Sequence, residues 1–293
     1  MLQGSITALI TPFRDGALDE RAFQDFVAWQ IAEGTDGIVP VGTTGESPTL
    51  SHEEHKRVVD LAVEVASGKI PVIAGAGSNS TAEAIDFTRH AVKAGANAVL
   101  VVTPYYNKPT QEGLYQHFRA VAQAAGDLPV IVYNIPGRSS VDMHHDTLVR
   151  LAREVPNIAG VKDATCDLAR PLRTRVALGK SFIQLSGEDI TATAFLAQGG
   201  VGCISVTSNV APRLCATMHK AWREGDLATC FAIRDQLVPL HDALFCETSP
   251  GPVKYAASLL GLVSAETRLP MVPIAETSRV RVETAMRGLG LIA

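Results

Sequence analysis

The chain is poor in the features that mark secreted, membrane-bound or nucleic-acid-binding proteins. Its five cysteines (Cys166, Cys203, Cys215, Cys230 and Cys246) are odd in number and contain no Cys-x-x-Cys pair, which argues against a disulfide framework or a zinc knuckle. No apolar run approaches the roughly 18 residues of a membrane span, and Met1-Leu2-Gln3-Gly4-Ser5-Ile6 carries no basic n-region. Neither membrane insertion nor export is expected; a cytoplasmic location is. Charge of one sign is not in excess either. Twenty-six basic residues stand against 30 acidic ones, a net charge of −4, so there is no electrostatic reason to bind nucleic acid or an anionic membrane.

Signatures of cofactors are equally thin. Gly75-Ala76-Gly77-Ser78-Asn79-Ser80 echoes a dinucleotide loop but lacks its third glycine. His52 and His55 are three apart, where His-Glu-x-x-His places them four apart, and no third ligand accompanies them. Ser51 and Glu54 form a capping box, which explains that segment structurally. No metal and no cofactor are expected. Arg170, Arg173 and Arg175 form a small basic cluster, read as a solvated helix face.

What the chain does have is apolar material, 46% of 293 residues, in a repeating order. Short β-branched runs recur at 5–11, 37–41, 71–76, 98–103, 130–134, 158–163, 182–186 and 201–206. Helical patterns lie between them, among them 21–33, 52–67, 81–94 and 112–125. Eight βα units in 206 residues take about 26 residues each, close to the minimum for a strand, a helix and two loops. This economy favours an α/β fold of the (β/α)8 TIM-barrel class. An open doubly wound sheet would place a glycine-rich turn after its first strand, where this chain has Thr11-Pro12-Phe13. Residues 1–224 are expected to form the catalytic barrel. Residues 225–293, with helical patterns at 227–244 and 253–260, are expected to form a C-terminal helical extension packed on it.

Catalytic side chains of a parallel barrel come from the C-terminal ends of its strands. Here those ends are polar. Lys162 stands out because it terminates the apolar strand Ile158-Ala159-Gly160-Val161, and alternation puts Ile158, Gly160 and Lys162 on one face, with Gly160 leaving space below the ammonium group. An amine attacks a carbonyl only when neutral, and an ordinary lysine is neutral in about one molecule in 2,500 at pH 7. Desolvation at a barrel mouth is expected to supply the difference. The structural alternative is a lysine paired with Asp163 or Glu188.

The other strand ends offer partners for that chemistry. Gly42-Thr43-Thr44-Gly45 carries backbone N–H groups and two hydroxyls in a tight turn suited to a small carboxylate, although a plain loop has the same composition. Tyr133 shares a strand face with Ile131 and has a phenol able to move a proton; a tyrosine satisfied by backbone is the alternative. Arg138 follows Pro136-Gly137 in a loop and has a fork suited to a carboxylate, whereas most loop arginines are solvated. Tyr105-Tyr106 is either an exposed pair or material for a subunit interface. The acids of Gly187-Glu188-Asp189 disfavour a phosphorylated substrate.

Taken together, Gly42-Thr43-Thr44-Gly45-Glu46, Tyr133-Asn134-Ile135-Pro136-Gly137-Arg138-Ser139, Val161-Lys162-Asp163-Ala164 and Ser186-Gly187-Glu188-Asp189 resemble the dihydrodipicolinate synthase family. The resemblance runs end to end, through Gly202-Cys203-Ile204-Ser205-Val206 and Arg268-Leu269-Pro270. It implies a lyase of the class I aldolase type that condenses pyruvate with L-aspartate 4-semialdehyde on the route to diaminopimelate and lysine, through an imine on Lys162. By the same resemblance Thr44, Tyr133 and Tyr106 form a proton relay, with Tyr106 reaching in from a neighbouring subunit. Thr43 and Thr44 hold the pyruvate carboxylate, Arg138 binds that of the aldehyde, and Gly187 and Ile204 lie beside the substrates.

Three further expectations follow from the family. Positions matching Ser47, His52, His55, Asn79, Glu83 and Tyr105 bind L-lysine as an effector in some members. The assembly is a homotetramer, a dimer of dimers. Sister enzymes acting on sugar acids, of the N-acetylneuraminate lyase or 2-keto-3-deoxy acid aldolase type, share the imine chemistry. They generally lack an arginine at position 138 and commonly read Gly-Ser-Thr-Gly-Glu at the turn. A non-catalytic ligand-binding barrel is the remaining alternative.

Overall fold

The computed structural model describes residues 2–293. Parallel strands alternate with helices, which gives the α/β class of a (β/α)8 barrel with a C-terminal helical extension. The chain divides into two compact units: Pro71–Ile204 with residues 2–3, and Gly4–Ile70 with Ser205–Ala293.

In the first unit the strands Ile73–Gly75, Ala98–Val102, Val130–Asn134, Ile158–Asp163, Ile183–Ser186 and Gly202–Ser205 pair in sequence order, all parallel. Their residues are nearly all buried, as expected of parallel strands covered on both faces. The register slips once, between Val130 and Ile131, after which Ile131 faces Gly160 and Tyr133 faces Lys162. Gly160 therefore plays a different part from the one read from the sequence. A Cβ there would collide with the carbonyl of Ile183 and press on the Ile131 side chain. Its missing side chain lets the next strand approach, and the room it leaves is taken by Ile183.

Helices stop and start where local chemistry dictates. Thr81–Ala94 ends at Gly95, whose φ of +85° is cheap only for glycine. Gln111–Ala125 is capped by Thr110, whose hydroxyl accepts the Gly113 N–H at 3.2 Å.

The second unit holds the parallel pair Gly4–Ala8 and Gly37–Val39, the helices Glu20–Ala32 and His52–Ala66, and the four C-terminal helices. Both hydrogen bonds of the Ser51/Glu54 capping box are present. Helix Leu227–Leu244 has the bounds that the pattern predicts, and Pro212–Glu224 before it carries proline in its first turn. Gly251–Leu259 is followed by Gly261 in the left-handed region.

The last helix, Glu276–Gly288, lies within the helical tail that the sequence predicts. The hairpin of Phe13–Arg14 with Ala17–Leu18, turned by Asp15 and Gly16, both at positive φ, is an element that the repeating pattern does not show. The Asp-Gly dipeptide is a recognised signal for such a turn. Asn209 secures the chain after Ala8: its side chain accepts the Ile10 N–H at 3.1 Å and donates to the Ala8 carbonyl at 2.7 Å. Among the described residues no helix is long and apolar enough to cross a membrane.

Candidate active site

The parallel register brings Lys162 and Tyr133 together. They are direct partners on adjacent strands, each only 6% exposed, and the lysine Nζ lies 4.1 Å from the centre of the phenol ring. An ammonium gains from that ring face; a neutral amine there is kept from bulk water. Gly187 closes in beside them. It donates its N–H to the Asp163 carbonyl at 2.7 Å, and a Cβ at this position would sit 3.2 Å from Lys162 Cε and overlap the Ala164 side chain. Glycine is required here chiefly by the close approach of Ala164, and it also leaves the lysine stem uncrowded.

Asp163 is not the lysine's counter-ion. Its Oδ1 accepts the Thr165 N–H at 2.8 Å and the Thr165 hydroxyl at 2.6 Å, while its Oδ2 accepts Arg170 Nε at 3.1 Å. Glu188 is the carboxyl that feels the amine. Burial and then the neighbouring Asp189 push it above the usual carboxylate range, against the opposing charges of Lys162 and Arg138.

The reading of Arg170 as part of a solvated helix face is corrected. Its side chain is only 12% exposed and ties together the two strands that carry Tyr133 and Lys162. One end meets Asp163, directly after Lys162. The other donates from Nη2 to the Met143 carbonyl at 2.7 Å. That loop is in turn pinned by Asn134, directly after Tyr133, which accepts the Met143 N–H at 3.0 Å and donates to Asp142 Oδ1 at 2.7 Å. A fork with five donors in fixed geometry suits such a bridge. Arg173 is exposed, as the helix pattern predicts.

Arg138 also differs from its sequence reading in detail. It lies in a single helical turn, Pro136–Ser139, and its side chain is exposed. Ser139 closes this turn by donating to the carbonyls of Ile135 and Val141, both at 2.9 Å. Ile204 is buried in its strand. Tyr106 stands 87% exposed on left-handed backbone, so within one chain it is not gathered with the buried tyrosine and lysine.

In the second unit, Gly42–Ser47 form a compact turn. Gly42 O accepts the N–H groups of Gly45 at 3.1 Å and Ser47 at 3.4 Å, Thr43 O accepts that of Glu46 at 3.1 Å, and the Thr11 hydroxyl donates to Gly45 O at 2.7 Å. Two non-glycine residues at positive φ bracket it, Val41 at 49° and Glu46 at 56°. For a β-branched residue that backbone is a true outlier, worth roughly 1–2 kcal/mol. Thr44 is buried and Thr43 half-buried between them.

Of the six effector positions, three lie in each unit. Asn79, Glu83 and Tyr105 are neighbours: the Tyr105 phenol is pushed up by burial and by the Glu83 charge, and the Ser78 hydroxyl donates to Glu83. Asn107 donates to the Asn79 carbonyl at 2.9 Å. In the other unit Ser47 opens a short 3-10 turn, His52 is exposed at the start of its helix and His55 is buried one turn on.

A lysine buried at the end of a parallel strand, over the ring of a tyrosine on the adjacent strand in a chain of βα repeats, defines a lyase of the class I aldolase type on a (β/α)8 barrel. The sequence model of the dihydrodipicolinate synthetase family matches residues 1–288. A protein of Rhodospirillum centenum named 4-hydroxy-tetrahydrodipicolinate synthase is 68% identical over 292 residues, spanning 100% of both chains. Among solved structures, a dihydrodipicolinate synthase of Acinetobacter baumannii complexed with pyruvate is 46% identical, with a TM-score of 0.96 and 100% of each chain covered. The enzyme of Cyanidioschyzon merolae with lysine bound is 39% identical, with a TM-score of 0.96 and 99% of each chain covered. The chain belongs to the dihydrodipicolinate synthetase family.

Proposed function

We propose that Lys162 is the nucleophile of a condensation between pyruvate and L-aspartate 4-semialdehyde that yields 4-hydroxy-tetrahydrodipicolinate, the activity for which the relatives are named. The observation that carries this reading is the buried Lys162 amine held in register against Tyr133. The neutral amine attacks C2 of pyruvate, and the carbonyl oxygen leaves as water once protonated, giving the imine. The imine draws electrons from the methyl carbon, which loses a proton to become an enamine. That carbon then adds to the aldehyde carbon of the second substrate, whose oxygen takes up a proton. The second substrate's own amino group attacks the imine carbon and displaces Lys162 as the free amine, closing the ring and releasing the product.

The chain's other residues divide these tasks. Tyr133 lies beside the amine, where protons must arrive and leave, and Thr44 and the Tyr106 of a neighbouring subunit extend the relay. Thr43 and Thr44 hold the pyruvate carboxylate; Arg138, exposed on its turn, binds the carboxylate of the aldehyde. Gly187 and Ile204 line the substrates. The arginine at 138 and the Thr43-Thr44 pair favour aspartate semialdehyde over a sugar acid.

The same reading extends to assembly and control. The protein works in the cytoplasm as a homotetramer, a dimer of dimers, and L-lysine binds at Ser47, His52, His55, Asn79, Glu83 and Tyr105. Residues 1–224 form the catalytic barrel and 225–293 a helical segment packed on it.

Borohydride added with pyruvate tests the central step by reducing the imine to a stable adduct. The wild-type chain is expected to gain one pyruvyl group on Lys162, and Lys162→Ala none, with turnover of pyruvate plus aspartate semialdehyde lost in parallel. An unlabelled wild-type protein, or a Lys162→Ala variant that still joins the two substrates, sinks the assignment.

A further inference from the structure

The second unit contains a lysine that the reaction as described does not use. Lys254, in the helix Gly251–Leu259, is 0% exposed, and its Nζ donates to Glu46 Oε1 at 2.6 Å across 208 residues of sequence. Glu46 is the residue that closes the Gly42-Thr43-Thr44-Gly45 turn. Its second oxygen accepts the backbone N–H of Arg268 at 3.0 Å. Both cations lie over the Phe13 ring, with Lys254 Nζ and the Arg268 guanidinium carbon each 4.2 Å from its centre. Arg268 itself is fixed to the carbonyls of Thr49, at 2.9 Å, and Gly16, at 2.8 Å.

We infer that Lys254 is a positioning residue for pyruvate capture, holding the Thr43-Thr44 turn in its binding conformation through Glu46. Two independent observations carry this. Taking an ammonium and a carboxylate fully out of water is expensive, and an apolar pair of the same volume would often serve stability as well or better. The pair sits on the one turn whose backbone is held at positive φ on both sides of the threonines, and such backbone persists only where its surroundings fix it. A carboxylate gripped from one side by a buried ammonium and from the other by a backbone N–H is such a fixture. Burial draws the Lys254 amine below the ordinary lysine range, and the Glu46 charge opposes this.

The inference rests on the reading of the turn as the pyruvate-carboxylate cradle, and the experiment separates the two. The half-saturating pyruvate concentration is measured by borohydride trapping, together with kcat and both KM values. The proteins compared are wild type, Glu46→Gln, Lys254→Met, the double variant Lys254→Met/Glu46→Gln, and Thr44→Val. The double variant leaves no lone buried charge, so it tests positioning even where a single variant fails to fold.

A loosened turn is expected to raise the pyruvate half-saturation and its KM by roughly tenfold or more in the double variant, with the KM for the aldehyde unchanged. Unchanged pyruvate constants in the variants that fold, or a fall in kcat alone through loss of folded enzyme, overturn the role. Should Thr44→Val capture pyruvate as wild type does, the cradle reading itself falls. Should Thr44→Val be defective while the double variant is normal, only the role of Lys254 falls.

Discussion

Tyr133 and Lys162 face each other across two parallel strands, and each is followed at once by a residue anchored to the same arginine's surroundings: Asn134 holds the 142–143 loop and Asp163 holds Arg170. The pair is thus fixed twice, by the strand ladder below it and by a polar bridge just beyond it. The ladder sets which face each side chain takes. The bridge limits how far the two strand ends can part, and a change of about an ångström in such a site is enough to slow a reaction substantially.

Removing only the Tyr133 hydroxyl tests the proton route. Tyr133→Phe keeps the ring under the Lys162 amine, so imine trapping with pyruvate is expected to survive, though more slowly. Turnover with both substrates should fall by about 10²–10⁴-fold, the usual loss on removing a general acid–base. Rapid-quench kinetics showing near wild-type turnover would place the relay elsewhere.

Arg138 is expected to act on the second substrate alone. Arg138→Ala should leave borohydride trapping of pyruvate intact and weaken kcat/KM for aspartate semialdehyde by about 2–5 kcal/mol, the range for a lost charged contact. Arg138→Lys should recover only part, since an ammonium lacks the planar fork. Wild-type kinetics with the aldehyde in Arg138→Ala would remove the role.

The order of strands and helices was legible because parallel strands buried on both faces read as short apolar runs with amphipathic helices between them. The bounds 227–244 match the helix to the residue. Lys162 was legible for the same reason, as a charge ending an apolar run. Arg170 was not. Periodicity places it on a helix but says nothing of Asp163 and Met143, which the fold brings to its guanidinium. Lys254 was hidden more deeply. Within an apolar helical run it reads like any snorkelling lysine, and its partner lies on the other side of most of the sequence. The contact that requires glycine at 160 is with Ile183, on a different segment, and is not visible in the local sequence. The hairpin at 13–18 does carry a local signal, in Asp15-Gly16.

The proposed binding of L-lysine at six polar positions is open to direct titration. Activity titrated with L-lysine is expected to fall within the millimolar range, and Glu83→Gln or His55→Ala should shift the half-inhibitory concentration upward without altering activity in its absence. A flat titration in wild type would leave the six polar residues without a regulatory part.

Arg170→Met should separate scaffold from chemistry in the first unit. It leaves Asp163, 8% exposed, without its charged partner, and a stability loss of about 2–4 kcal/mol is expected from denaturant melts. Because the bridge spans the strand ends of Tyr133 and Lys162, kcat should fall in the fraction that remains folded, as counted by active-site titration. Arg170→Lys should not restore it, since one ammonium does not span Asp163 and the Met143 carbonyl together. Full kcat per active site in Arg170→Met would reduce the arginine to a stabilising role.

Acid sensitivity should trace in part to His117. Burial lowers its pKa from 6.5 to about 4, its Nδ1 lies 3.0 Å from the Thr81 hydroxyl, and its Nε2 has no partner. The unfolded chain takes up a proton near pH 6.5 and the folded chain only near 4, so the unfolded state binds more protons between these values. The stability owed to the neutral ring is therefore complete above about pH 6.5 and lost as the pH falls toward 4, by up to about 3 kcal/mol. His117→Gln keeps a hydrogen-bonding group without the titration. Urea midpoints at pH 7, 5.5 and 4 should fall less steeply in that variant than in wild type, and parallel slopes would assign the acid loss to other groups.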